Sequence, residues 1–165
     1  MTWLYGTLLF VAAQRSAELI YARANTKRAL ASGGIEIAAR QHGWIVALHS
    51  AWLVAMLAFV PHAREPNFLL LGLYAALQLA RIWTIGSLGP YWTTRVITFP
   101  DRPLVLRGPY RFMRHPNYAI VVCEIALLPL AFGAWQIAAV FSALNAVVLF
   151  VRLRAENPAL QARRR

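Results

Sequence analysis

The chain has 165 residues, of which 59% are hydrophobic and only 14% charged, with a mean hydropathy of +0.50. Soluble domains carry roughly 45–50% apolar residues, so this composition excludes an ordinary soluble fold and points to lipid as the solvent. The formal charge of +11 invites a nucleic-acid partner, but the placement of the charges, set out below, assigns them to membrane topology.

A membrane-spanning helix needs about 20 mostly apolar residues. The first such stretch runs from Thr2 to Tyr21. It lacks a basic leading segment and continues directly into Arg15 and Glu18, so no secretory signal is expected. The second stretch, Gly43 to Val60, is joined to the third, Phe68 to Leu88, by a short link bracketed by Pro61 and Pro66. A long loop, Gly89 to His115, follows. The fourth stretch, Asn117 to Phe132, is short, and Gly133-Ala134 makes it a tight hairpin with the fifth, Trp135 to Val151. The expected fold is all-α: an integral membrane bundle of about five transmembrane helices. Cys123 is a single cysteine inside an apolar run, which leaves no partner for a disulfide. His42, His49 and His62 lack ligand spacing, so no metal site is expected.

Orientation follows from the basic residues, which collect on the cytoplasmic side of membranes. With the N-terminus outside, the first inner loop holds Arg23, Lys27, Arg28 and Arg40, and the second holds Arg95, Arg102, Arg107, Arg111 and Arg114. The C-terminal tail adds Arg152, Arg154, Arg163, Arg164 and Arg165, while the outer side keeps only Arg64. So lopsided a split places the C-terminus in the cytoplasm and removes the case for nucleic acid.

The 27-residue inner loop mixes aromatics and turn formers in Pro90-Tyr91-Trp92, Phe99-Pro100-Asp101 and Gly108-Pro109-Tyr110. Loops of that length in small proteins tend to carry function or to lack structure, and this content argues for order. Pro116 suits the first turn of the fourth helix, where a missing N–H costs nothing. Arg114 and His115 then stand at the positive end of that helix, a natural place for a carboxylate or phosphate, with Tyr118 one turn in. Arg and Tyr also serve as interfacial anchors, so both readings stand. On the fifth helix, Asn145, Leu149, Arg152 and Glu156 are spaced to share one face if the helix persists to the residue before Pro158. Asn145 is either interhelical glue or a ligand contact, and Arg152 with Glu156 is either a surface pair or part of a site.

Four ionisable residues lie within the spans: Arg15, Glu18, Arg81 and Glu124. Such groups pair or line a cavity. Arg15 and Glu18 can satisfy each other, and Arg81 is near enough to its helix end to snorkel. Glu124 is either neutralised by Arg15 or Arg81 or is a substrate contact.

The segment Gly108-Pro109-Tyr110-Arg111-Phe112-Met113-Arg114-His115-Pro116-Asn117-Tyr118 resembles the G-x-Y-x-x-x-R-H-P-x-Y signature of the isoprenylcysteine carboxyl methyltransferase family. Arg152-Leu153-Arg154-Ala155-Glu156-Asn157-Pro158-Ala159-Leu160 resembles that family's closing R-x-R-x-E-E-x-x-L motif, with Asn157 in place of the second Glu, and Asn145 fits an upstream Asn. The resemblance covers roughly residues 86 to 160. Gly89-Pro90-Tyr91-Trp92-Thr93-Thr94-Arg95 and Glu124 look most like a small prokaryotic branch, some of whose members O-methylate alkylpyrones or alkylresorcinols. The chain ends soon after Leu160, without the tail of longer members.

The resemblance implies a single membrane methyltransferase domain over residues 1–165. Residues 1–88 would form three helices, and 89–165 the cofactor-binding loop, the helical hairpin and the C-terminal motif. It implies S-adenosylmethionine taken from the cytoplasmic side of a prokaryotic cell membrane, with S-adenosylhomocysteine as product, and a lipophilic acceptor entering from the bilayer. On this reading Arg114, His115 and the helix that begins at Pro116 receive the cofactor carboxylate. Glu156 and Asn157 take its ammonium or ribose hydroxyls, and Tyr110, Tyr118 and Trp92 flank the adenine or sulfonium. Arg152 or Arg154 orients the acceptor. A phenol or enol acceptor calls for a base, Glu124 or His115, whereas a carboxylate calls for none. The competing reading from another class is a small non-catalytic membrane protein, a lipid-binding module or an assembly subunit. A transporter fares worse, because five spans are too few for paired repeats.

Overall fold

The computed structural model describes residues 2–37, 39, 41–99 and 103–162, with the side chains of 157–162 outside the description. Arg40, Arg102 and Arg163–Arg165 of the charge pattern, and Pro100-Asp101 of the loop, lie outside the described residues, as does the Asn157 side chain.

The described chain is nearly all helical. It comprises α1 (Trp3–Ala31), α2 (Gln41–Phe59), α3 (Phe68–Leu88), α4 (Pro116–Ala131) and α5 (Trp135–Ala162). Two three-residue strands, β1 (Ile35–Ile37) and β2 (Val96–Thr98), pair antiparallel with Glu36 opposite Ile97. Gln41–Phe59, Phe68–Tyr91 and Trp135–Glu156 are long and apolar enough to cross a membrane, and α4 is apolar but shorter. Hydropathy thus located all five helices, of which three meet the length and composition of a span.

Two helices outrun their apolar stretches. α1 continues ten residues past Tyr21, because Ala, Arg, Lys and Leu favour helix in or out of lipid; Arg23, Lys27 and Arg28 therefore sit on a helix rather than in a loop. It ends where Gly33 adopts φ +86° and the Gly34 N–H bonds back to the Ala29 carbonyl at 2.9 Å. A Cβ on Gly34 would meet the Ala29 oxygen and Ile97 Cγ2, each at 2.8 Å, so glycine lets the β-ribbon lie close on the end of α1. α5 passes through Pro158 instead of stopping before it, at the cost of one backbone hydrogen bond.

In the bundle α3 packs on α4, α4 on α5, α5 on α2 and α2 on α1. Leu4, Leu8, Val11, Trp52, Met56, Tyr74, Ile125 and Leu128 fill the centre. The outward faces are also apolar, with Leu9, Phe10, Val54, Leu69, Leu79 and Val147 exposed, a pattern suited to contact with lipid tails rather than water.

Charge closes the ring between α1, α3 and α4. Arg15 reaches Glu18 at 3.1 Å and Glu124 at 2.6 Å. Arg81 donates twice to Glu18 at 2.6 Å and once to Glu124 at 3.3 Å, while Gln78 donates to the other Glu124 oxygen at 2.9 Å. Arg81 is thus buried and paired instead of snorkelling. A guanidinium in a dry bundle gains more from two nearby carboxylates than from a distant interface. Asn25, on the helical extension of α1, donates to the Gly89 and Trp92 carbonyls and docks the start of the long loop.

Candidate active site

The site grows from the first turn of α4. The turn Gly108–Arg111 presses against the end of α3: Arg107 Nε donates to the Ser87 carbonyl at 2.6 Å. A Cβ on Gly108, whose φ is +57°, would lie 2.0 Å from Ser87 Oγ, so glycine is required. The turn delivers Tyr110 to a cavity and leads into His115, whose carbonyl accepts from the Tyr118 and Ala119 N–H groups as the helix begins at Pro116.

Tyr118 stands at the centre of a polar chain. Its hydroxyl donates to Glu156 Oε2 and accepts from Arg152 Nε at 2.6 Å. Arg152 Nη2 donates to the Thr94 carbonyl at 2.8 Å, tying α5 to the long loop. The Arg152 guanidinium also lies 5.6 Å from the Tyr118 ring centroid, within cation–π range. On the other side, the His115 ring stacks parallel to Tyr118 at 5.1 Å, with Nδ1 3.8 Å from Glu156 Oε1.

Helical periodicity explains why these groups meet. Asn145, Leu149 and Arg152 all face the interior, and Glu156 continues the same stripe because α5 does not break. Arg154, two positions from Arg152 and so roughly opposite on the helix, is exposed, its guanidinium 4.2 Å over the Phe150 ring. The structure does not bring Arg154 to the cavity.

Two cavities share the wall formed by Tyr118, Arg152, Trp92 and Asn117. The outer one, about 460 Å³, is lined by Tyr110, Arg114, His115, Pro116 and Glu156 and roofed by β2 and Tyr91. Its volume falls in the range of small-molecule sites. Burial, reinforced by Glu156, pushes the Tyr110 phenol above its ordinary range, so it remains a neutral hydroxyl. The inner cavity, about 150 Å³, lies among α1, α2, α4 and α5, with Asn145, Leu149 and Val121 on its walls. Asn145 thus faces the inner space, which it lines with Tyr118, while Tyr110, Arg114, His115, Pro116 and Glu156 line the outer one. Glu124 lines neither cavity; both of its oxygens are engaged by Arg15, Arg81 and Gln78.

Two residues at or beside this wall, Asn117 and Thr94, carried no sequence signal of their own, whereas Trp92 stood among the expected flanking aromatics. Trp92 Nε1 and Asn117 Oδ1 are buried there without a hydrogen-bond partner, although buried polar groups are usually satisfied. Thr94 contributes a carbonyl, which no side-chain pattern reveals. Asn117 stood inside the matched signature at an unspecified position.

Residues 69–162 match the family model described as "Isoprenylcysteine carboxyl methyltransferase (ICMT) family". The chain is also 39% identical to the uncharacterized protein YpbQ of Bacillus subtilis (strain 168), over 98% of this chain and 97% of that protein. No solved structure matches the chain.

Proposed function

The chain belongs to the isoprenylcysteine carboxyl methyltransferase family, a family of membrane methyltransferases, and from that premise we propose that it is an S-adenosylmethionine-dependent O-methyltransferase acting on a lipophilic acceptor. The acceptor is an isoprenylcysteine-type carboxylate or a polyketide phenol or enol hydroxyl, as in the small prokaryotic branch. The protein lies in the cell membrane with its N-terminus outside, five helices spanning, and the outer cavity open to the cytoplasm.

One observation carries this reading. A larger, aromatic-lined cavity that holds Arg114, His115 and Glu156 and a smaller one set among the helices meet at a wall that holds Arg152 and Tyr118. That arrangement suits a charged, water-soluble donor on one side and a lipid-borne acceptor on the other.

The outer cavity fits S-adenosylmethionine by its donor set. Glu156 offers a carboxylate to the amino-acid ammonium. Arg114 and the positive end of the α4 dipole offer positive charge to the carboxylate, with the His115 ring beside them. Tyr110, Trp92 and the stacked His115–Tyr118 pair present flat faces for a purine or a sulfonium, and the unpartnered Trp92 Nε1 and Asn117 Oδ1 remain to bond a ligand. When bound, S-adenosylmethionine supplies an electrophilic methyl carbon on a cationic sulfur.

The rest of the work falls to positioning, which contributes several kcal/mol in displacement reactions. Arg152 has two donors fixed by Tyr118 and Thr94, so its plane is set before an acceptor arrives. It draws an acceptor oxyanion to the shared wall. Leu19, Ile45, Leu53, Val121 and Leu149 give the inner cavity an apolar side for an alkyl chain from the bilayer, beside its polar groups. Glu124, spent on Arg15 and Arg81, holds the bundle together.

The direct test is calorimetric binding of S-adenosylhomocysteine to the protein in nanodiscs, beside Glu156→Gln and His115→Ala. We expect micromolar binding in the wild type, and removing one charged contact to cost about 1–3 kcal/mol. No binding by a folded wild type would instead favour a non-catalytic membrane protein.

A further inference from the structure

The inner cavity holds a group that the donor site does not use. His42 lies in the first turn of α2 and lines that cavity with Thr94, Trp92, Tyr118 and Arg152. Its Nδ1 is buried without a hydrogen-bond partner, and its ring reaches the Thr94 backbone, the residue whose carbonyl also receives Arg152 Nη2. A neutral imidazole places its proton on the nitrogen that finds an acceptor and leaves the other with a lone pair.

The other bases near the two cavities are occupied. Glu18 and Glu124 are clasped by Arg15 and Arg81, and Glu156 receives the Tyr118 hydroxyl. His49 lines the same cavity two turns further into the bundle, with Nδ1 2.8 Å from the Ile45 carbonyl. Among these described bases, His42 combines a buried, unpartnered Nδ1 with a place in the inner cavity beside Thr94, the residue to which Arg152 of the shared wall is bonded. The charged and titratable groups facing it are Arg95, Arg152 and Glu36. Across the cavity stand Tyr118, His49, Arg15, Glu18 and Arg81.

We propose that His42 Nδ1 is the proton acceptor for a hydroxyl-bearing methyl acceptor in the inner cavity, an inference that rests on the methyltransferase reading above. As the acceptor oxygen bonds to the methyl carbon, its proton moves to Nδ1. The carbon–sulfur bond breaks with its electron pair left on sulfur. The imidazolium then releases the proton to solvent, so one hydroxyl and one sulfonium give one methyl ether, one thioether and one proton. A carboxylate acceptor would have no use for this group.

The experiment compares wild type, His42→Gln, His42→Asn and His49→Gln in nanodiscs, each first checked for thermal unfolding and S-adenosylhomocysteine binding. Without donor, the visible absorbance of added nonylnitrophenol reports its ionisation in the cavity. We expect it to titrate at least about one pH unit lower in wild type than in either His42 variant. With donor, general-base loss is worth about 100-fold or more, so the His42 variants should methylate pentadecylresorcinol about 100-fold more slowly than wild type. They should lose less than about threefold on nonylnitrophenol, which ionises unaided. The His49 variant should track wild type in both assays. Identical titrations in wild type and His42 variants, or an equal loss on both acceptors, would overturn the role of His42 and leave the methyltransferase reading intact. Failure of folded wild type to bind S-adenosylhomocysteine would overturn that reading, and this proposal with it.

Discussion

Two clusters of arginine and glutamate sit at different heights in the bundle, built from similar parts to different ends. In the deeper one, Arg15 and Arg81 face Glu18 and Glu124 directly, and every carboxylate oxygen is engaged. In the other, the Tyr118 hydroxyl stands between Arg152 and Glu156. That second cluster lies between two cavities, and its wall carries unpartnered atoms on Trp92 and Asn117. Residue type does not separate structural charge from chemical charge here. Unpartnered atoms do not separate them either, since Arg15 Nε and Gln78 Oε1 in the deeper cluster are buried without partners. What separates them is that the Arg152–Tyr118–Glu156 cluster stands between two cavities, while both Glu124 oxygens are engaged within the bundle.

The sharpest way to break the comparison is Glu124→Ala. It leaves two buried guanidiniums facing one carboxylate, and stranding charge in this way costs about 3–5 kcal/mol. We expect a large fall in the thermal unfolding midpoint in nanodiscs, with S-adenosylhomocysteine affinity in the protein that remains folded changing less than about twofold. A stable variant that had lost donor binding would move Glu124 into the site and erase the distinction.

Arg152→Lys tests the opposite cluster. Lysine keeps the charge and loses the planar fork that bonds Tyr118 and Thr94 together. Methyl transfer should fall about 100-fold, the scale of losing one preorganised donor, while the unfolding midpoint and donor affinity stay near wild type. Tyr118→Phe removes the hydroxyl between the charges but keeps the ring under His115. It breaks two hydrogen bonds to charged groups, to Glu156 and from Arg152, and should cost at least about tenfold in transfer, measured on the same acceptor. An effect on stability larger than that on turnover would reclassify the chain as scaffold.

The fold was legible to the extent that hydropathy governs it. α3 begins and ends at the residues where the apolar run does, and the other helices start within two residues of their apolar stretches. The extension of α1 was not, because helix propensity beyond the apolar run leaves no hydropathic trace. The β-ribbon was not either, since Ile35–Ile37 and Val96–Thr98 are too short to show a period and lie far apart in sequence. In the site, the 4-3-4 spacing of Asn145, Leu149, Arg152 and Glu156 foretold one face, and the structure puts that face inward. Arg154 lies off that stripe, although the resemblance kept it level with Arg152 as the residue that orients the acceptor. His42 was invisible: a single imidazole has no periodicity, and its partners arrive from α5 and from the loop after α3.

The smallest expected effect belongs to that excluded arginine. Arg154 is exposed and contacts Phe150 on its own helix. A cation–π contact at an exposed position is worth about 0.5–1 kcal/mol, and the side chain touches neither cavity. Arg154→Ala should therefore leave transfer within about twofold of wild type and barely move the unfolding midpoint. The measurement matters because Arg152 and Arg154 carry the same charge, at nearly the same depth, within one short motif. If charge near the membrane surface alone drew the acceptor in, the two substitutions would weaken transfer alike, and both effects would fade with added salt. If the fixed plane of Arg152 at the shared wall does the work, only its replacement should matter, at every ionic strength.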